Sequence, residues 1–532
     1  MKAFLLYRDR VFDPHFELRD RIPRNREVDW HCQLSLHERA LVQDLELDTL
    51  LQNMARDDEF VLSVVRKVLL TGLQNDLNTI RHRQGALRDC LKNPEATRAL
   101  YDLTVDAIES SRKRTWGLSS HYPGSLLYNG VDTLEVLVVM LRKLRDMARA
   151  EAVRFGSEAF TTLFGMLARE LDDNYLSLIE KYLSDLAFRK GVLLSAELGE
   201  WNESTNYVLR MVRGKDPTWF QRLIGKGSPE YSFQLDERDE AGARILAEMR
   251  QKGISRVALA VAQSADHVLS FFKMLRTELA FYVGCLNLHD RLTRKNEPSC
   301  FPEPMPAGTR CQSFGGLYDP CLSLHMEGRV VGNDATADGK NLMVITGANQ
   351  GGKSSFLRSL GLAQVMMQCG MFVAAEEFRA ELCPAIFTHY KRAEDTTLKS
   401  GKLDEELSRI SGIADSIKPN SLLLFNESFA ATNEREGSEI ARQIVSAFLE
   451  KGMKVFYVTH LYEFARQYAQ MQSVGTLFLR AERKEDGTRT FRIQEGKPDE
   501  TSYGEDLYHE IFESKGDLQA IASNHLTPVV TD

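Results

Sequence analysis

Leu342-Met343-Val344-Ile345-Thr346-Gly347-Ala348-Asn349-Gln350-Gly351-Gly352-Lys353-Ser354-Ser355 is the stretch from which the rest of the chain is read. Leu342 to Ile345 is a short apolar run of strand formers, and Gly347 to Ser354 matches G-x-x-x-x-G-K-[ST] in full. From Ser354 to Met367 the pattern is helical, ending near Gly370. Strand, glycine loop and helix in that order are the context that makes this motif a P-loop. The glycines let backbone N–H groups turn inward around phosphate oxygens, and the helix N-terminus adds positive potential. The spacing predicts that Lys353 reaches the β- and γ-phosphates of ATP and that the Ser354 hydroxyl ligates Mg²⁺. The bland alternative is a chance glycine turn at a helix start.

A P-loop ATPase also needs an acidic residue at the end of a buried strand for Mg²⁺, and usually a base for water. The apolar run Leu422 to Phe425 ends in Asn426-Glu427. Glu427 is placed to orient or deprotonate the attacking water. Asn426 falls where an Asp is expected; its amide oxygen can serve the metal but carries no charge, which predicts weaker Mg²⁺ binding and slow turnover. A second strand, Lys454 to Val458, ends in Thr459-His460. There His460 can sense the γ-phosphate by hydrogen bond, or simply cap the next helix.

The 532 residues are enough for about three or four domains. A net charge of −8 provides no global attraction to DNA or anionic lipid, so any nucleic-acid contact needs a local basic patch. Eight scattered cysteines without a C-x-x-C favour a reducing, cytoplasmic setting. The apolar start is too short for a signal peptide, and the absence of an uninterrupted run of about 18 apolar residues predicts no membrane span.

Along the chain, residues 1–44 form a charged segment, a basic arm or a solvated periphery, and 45–130 a helical core. Within that core Pro123-Gly124-Ser125 and Tyr128-Asn129-Gly130 read as loop. Residues 131–195 read as a long helix and 241–300 as a returning one, both with apolar residues three or four apart, which suggests antiparallel pairing or two core helices of a bundle. Between them, 196–240 holds Arg210, Arg213, Lys215, Arg222 and Lys226 around Trp219 and Phe220. Such a tip can touch a nucleic-acid backbone, or be a small capping subdomain. From 301 to 532, short apolar runs alternate with helical patterns, as in a mostly parallel α/β sheet.

In combination these residues resemble the ATPase domain of the MutS mismatch-repair family. Thr346 to Ser355 is similar to that family's TGPNMGGKST, Glu427 to Gly437 parallels DE-IGRGTSTYDG, and Thr459-His460 parallels its ATH. Thr501-Ser502-Tyr503-Gly504 parallels a late S-Y-G, Thr79 to Gln84 a core segment with an R-Q pair, and Glu278 to Tyr282 the returning lever helix. The resemblance covers roughly residues 45–510. It implies an ABC-like α/β P-loop ATPase domain preceded by an all-α core and lever domain with long antiparallel helices. It also implies ATP and Mg²⁺ held by Gly347, Asn349, Gly351, Gly352, Lys353, Ser354 and Ser355, with Asn333 near the adenine, Ser354 and Asn426 at the metal, and Lys353, Glu427 and His460 in catalysis.

The family further implies a composite site across a dimer, homomeric or a MutS-like heterodimer. Ser400 is the residue carried over to its trans signature, although Lys399 to Glu406 departs from the family's STFM-x-E form. The short stretch before the core implies a shortened homologue without mismatch-reading and connector domains. Three functions follow: an ATPase dimer clamping double-stranded or branched DNA, a nucleotide-switched protein-binding scaffold, and a weakly active subunit of a hetero-pair.

Overall fold

Continuous apolar runs, unlike alternating ones, belong to strands buried on both faces. The computed structural model describes residues 1–8, 34–71, 73, 76–115, 122–188, 191–201, 203–210, 234–236, 238–392, 401–471, 475–484 and 487–498. Helices α1 (Leu36–Asp44), α2 (Leu47–Ala55), α3 (Glu59–Thr71), α4 (Leu77–Lys92), α5 (Pro94–Thr115), α6 (Pro123–Glu151), α7 (Glu158–Glu170) and α8 (Asp173–Leu186) come first. Strands β1 (Leu193–Leu198) and β2 (Ser204–Arg210) and the 55-residue helix α9 (Glu240–Arg294) follow. Next are β3 (Glu303–Met305), β4 (Gln312–Leu317), α10 (Pro320–His325), β5 (Asn333–Thr336), β6 (Leu342–Gly347) and α11 (Lys353–Gln368). The chain continues through β7 (Glu377–Glu381), β8 (Ile386–Tyr390), α12 (Lys402–Ser416), β9 (Leu422–Asn426) and α13 (Glu434–Glu450). It closes with β10 (Lys454–Val458), α14 (Tyr462–Gln470), β11 (Thr476–Arg483) and β12 (Arg489–Glu495). The described residues form two compact units, one of 1–5 and 93–279, the other of 6–8, 34–92 and 280–498.

In the first unit the long helix expected over 131–195 is three helices. Two N-caps divide it: the Ser157 hydroxyl accepts Phe160 N–H, and the Asp172 carboxylate accepts Tyr175 N–H at 2.6 Å. Apolar spacing continues across both breaks, which is why the pattern alone reads as one element. Arg145, 3% exposed, holds the α8 start by donating to Leu171 O at 2.9 Å and Asp173 at 2.7 Å. The expected loop at 123–130 is instead the first part of α6, with Pro123 in the helix's first turn. Gly130 sits inside that helix because a Cβ there would lie 2.9 Å from Val261.

The helix at Pro123–Arg154 is long and apolar enough to pass for a membrane span, with 44% of its most apolar window buried inside the fold. Its buried residues, among them Leu127, Val131, Leu134, Leu137, Val138, Leu141 and Leu144, recur at helical spacing, so one face is a packing face. Of segment 196–240, the structure describes part of a hairpin, β1 antiparallel to β2, and the start of α9.

The second unit is built on a six-stranded sheet in the order β12-β11-β6-β10-β9-β8, parallel throughout except for edge strand β12. Its register aligns Val458 with both Ile345 and Asn426, so β6, β9 and β10 end at one edge. Phe425, Phe429, Val445, Tyr457 and Phe464, all 0% exposed, pack the sheet against the helices that follow it. A second sheet runs β3-β7-β4-β5. Fully buried Arg83 on α4 donates to Leu6 O at 3.1 Å and Cys369 O at 3.2 Å, and Gln84 donates to Pro302 O at 2.9 Å. This Arg-Gln pair thus ties α4 to main-chain carbonyls of three other segments.

The two sheets are joined by a buried ion pair. Lys454 opens β10, Glu381 closes β7, and their side chains, each 2% exposed, meet at 3.0 Å. Glu381 also accepts Gly308 N–H and Arg310 N–H, both at 2.9 Å, and Lys454 donates to Cys311 O at 3.2 Å. Removing one partner strands a charge out of water. Glu381→Ala is expected to destabilise this unit by about 3–5 kcal/mol, read as a lowered urea midpoint of its unfolding transition.

Candidate functional site

Glycine adopts without steric cost the left-handed backbone that opens α11: Gly352 is its N-cap, with φ +86°. The loop from β6 to α11 borders a cavity of about 630 Å³. Asn349, Gly351, Gly352, Lys353, Ser354 and Ser355 line one wall, while Leu317, Tyr318, Met326, Val330 and Val331 supply an apolar wall. That volume lies within the ~300–1,000 Å³ of small-molecule sites. One wall of main-chain donors at a helix N-terminus and one of hydrocarbon suit a ligand with an anionic end and a flat apolar end.

The sheet register gathers residues from separate segments here. Lys353, 5% exposed, donates from Nζ to Gly347 O at 2.9 Å and Ala348 O at 2.7 Å. The Ser354 hydroxyl donates to Asn426 Oδ1 at 3.0 Å, joining the start of α11 to the end of β9. Glu427 lines the cavity, and its Oε1 lies 3.1 Å from His460 Nε2. Lys391 approaches the other carboxylate oxygen at 3.8 Å. The hydrogen bond from His460 holds the Glu427 carboxyl below its usual range despite burial, aided by the His460, Lys391 and Lys353 charges. An ionised carboxylate beside the cavity is able to accept a proton from water.

Asn333 also lines the cavity, but its Oδ1 already accepts Ile493 N–H at 2.6 Å, tying β12 to β5. Gly347 starts the loop with φ +111°. Among the residues proposed from the sequence for DNA contact, the structure describes Arg210 alone. It ends β2, is exposed, and donates from Nε to Ser195 Oγ at 2.9 Å. Arg213, Lys215, Arg222 and Lys226 lie outside the described residues, as do Ser400 and Thr501 to Gly504. The described hairpin carries Glu197, Glu200 and Glu203 around Trp201, which is 87% exposed.

Sequence reading missed several residues at the site. Phe491, half exposed and at φ +59°, lines the cavity from β12 beside Gly352, in a stretch with no motif to mark it. Asp319 caps α10 by accepting Cys321 and Leu322 N–H and takes Arg358 Nε of α11 at 2.5 Å, fixing the apolar wall to the loop helix. Burial pushes the Asp319 carboxyl up, against the Arg358 charge and these hydrogen bonds. Among the described residues, no group of three or more His, Cys, Asp or Glu side chains could hold a metal ion.

Comparison with known proteins places these elements in a family. Residues 75–295 match the MutS2 N-terminal domain, and residues 343–511 match MutS domain V. The human MutS protein homolog 4 is 22% identical over 367 residues, covering 66% of this chain and 38% of the relative. The DNA mismatch repair protein MutS of Caldicellulosiruptor bescii is 26% identical over 66% of this chain and 36% of the relative. That of Shouchella clausii is 30% identical over 36% of this chain and 22% of the relative. The chain thus spans less than half the length of the curated relatives it matches.

A Cβ on Gly351 would lie 2.7 Å from Ala481 Cβ and 2.9 Å from Ala348 O, so Gly351→Ala must displace the loop. The variant is expected to lose affinity for a fluorescent ATP analogue by about tenfold or more while its circular dichroism stays native.

Proposed function

Because this chain belongs to the MutS family, we propose that it binds ATP with Mg²⁺, hydrolyses it slowly, and uses the nucleotide state to control a dimer that clamps DNA in repair or recombination. The observation that carries the reading is one cavity lined by the glycine loop and Glu427, with Asn426 bonded to Ser354 and His460 bonded to Glu427. The main-chain wall takes the triphosphate and the apolar wall the base, with the Phe491 ring available to stack on it.

Ser354 and Asn426 present two oxygens 3.0 Å apart. That set fits Mg²⁺, which takes one or two protein oxygens and completes its shell with water and phosphate. When bound, the ion supplies charge stabilisation at the transferring phosphoryl group. The chain's own residues do the rest. Lys353 neutralises phosphate oxygens, Glu427 orients water and takes up its proton, and His460 holds the Glu427 carboxylate in place. A neutral Asn426 attracts the cation less than a carboxylate does, so turnover is slow.

For DNA, the support is family membership and the basic residues between 210 and 226. Acidic Glu197, Glu200 and Glu203 disfavour phosphate at the described hairpin turn. Those same acids beside exposed Trp201 favour a second reading, a nucleotide-switched scaffold that takes a protein there.

ATP hydrolysis with and without duplex, forked and junction DNA separates the readings. Lys353→Ala is expected to abolish turnover, and Asn426→Asp to lower the half-saturating Mg²⁺ concentration by several-fold and raise the rate. Salt-sensitive DNA binding supports the clamp. Its absence at low salt, with ATP present, transfers the conclusion to the scaffold.

A further inference from the structure

Glu427 sits in a backbone conformation that costs energy for a non-glycine residue. Its φ is +54°, and Phe429 two residues on has φ +64°. Such a turn persists only where its surroundings hold it. Upstream, Glu427 N–H donates to Val458 O at 2.8 Å, within the sheet edge. Downstream, the contacts come from β8, β10 and α12. Phe429 N–H donates to Glu406 Oε2 of α12 at 2.8 Å, and Tyr457 OH donates to Ser428 O at 2.7 Å. His389 of β8 stacks on the Phe429 ring, with 5.8 Å between centroids and 18° between planes.

The His389 ring makes two further contacts: Nδ1 lies 2.6 Å from Ser428 Oγ and Nε2 lies 3.3 Å from Glu406 O. Burial pushes its pKa down to about 3, so the ring is neutral and carries one proton. The Ser428 hydroxyl also donates to His389 O at 2.8 Å, so Ser428 meets both the ring and the main chain of His389. Glu406 is 3% exposed, and among the described residues its other carboxylate oxygen has no hydrogen-bond partner. The charges of Lys402, Arg409 and Lys391 also act on it, but its carboxylate's hydrogen bond goes to the turn, at Phe429 N–H.

We infer that Glu406, with His389, is a positioning residue for Glu427: through the turn at 427–429, helix α12 sets where the water-directing carboxylate points. Glu406 does not touch the cavity. Its effect falls on hydrolysis and leaves the glycine loop alone, so any displacement of α12 changes turnover before it changes nucleotide affinity. This inference rests on the ATP-hydrolysing reading above.

The test measures kcat and the dissociation constant of a fluorescent ATP analogue in the full chain. Glu406→Ala is expected to lower kcat by about tenfold or more with affinity within about twofold. Glu406→Gln, whose amide oxygen still accepts Phe429 N–H, is expected to keep kcat within about twofold of the parent. If Glu406→Ala does not fold, Ser428→Ala reads the other half of the clamp and is expected to lower kcat at unchanged affinity. Unchanged kcat in Glu406→Ala, a Gln variant as impaired as the Ala variant, or equal losses of kcat and affinity each overturn the inference alone. A parent protein that binds the analogue but never hydrolyses ATP overturns the hydrolytic reading and the inference together.

Discussion

Parallel pairing of β10 with both β6 and β9 is the constraint on which the site depends. Val458 lies opposite Ile345 on one side and Asn426 on the other. Strand β6 then leads into the glycine loop, β9 into Glu427, and β10 into Thr459 and His460, all at one edge. A slip of one residue in either pairing would carry a strand end about 3.3 Å along and turn its side chains to the opposite face. A slip between β10 and β9 would break both the Ser354–Asn426 and Glu427–His460 contacts, and one between β10 and β6 would break the first. The apolar runs are buried on both faces, so a slipped register would also mismatch the packing of Phe425 and Tyr457 beneath the helices.

Four of the thirteen described non-glycine residues with positive φ gather at the same edge. Gln350, Glu427, Phe429 and Phe491 are non-glycine residues with φ between +54° and +64°. Three of them line the cavity, and the fourth follows Glu427 by two positions. Each costs roughly 1–2 kcal/mol relative to ordinary backbone. Much of the nearby polar network pins these turns: Arg489 Nε donates to Asn349 O at 3.1 Å, Asn333 accepts Ile493 N–H, and Glu406 accepts Phe429 N–H. At this edge the turns set side-chain direction, and the sheet provides the rigidity to hold them.

What could be read from the sequence was whatever is contiguous. The glycine loop, the strand ending Asn426-Glu427 and the strand ending Thr459-His460 are local patterns, and they also carry the family resemblance. The breaks after Glu151 and Glu170 were hidden because apolar spacing runs through them, and a cap is one polar residue among many. Gly130 reads as a loop residue when its role is close approach between helices. His389 and Ser428 stand 39 residues apart, and Glu406 and Phe429 stand 23 apart. Nothing in either local stretch announces those partners. Phe491 is one aromatic in a polar strand, and only the antiparallel return of β12 sets it beside Gly352.

That return has a thermodynamic side. Among the described residues β12 is an edge strand with a single ladder partner, β11, tethered further by the Asn333 side chain and by Arg489 at Asn349 O. Edge strands open at a smaller free-energy cost than the interior of a sheet, so amide protons from 489 to 495 should trade with deuterium sooner than those of β6 or β10. A ligand wedged against Phe491 would slow that trade, making this outer strand a built-in gauge of occupancy, legible peptide by peptide in a mass spectrometer without any label on the ligand.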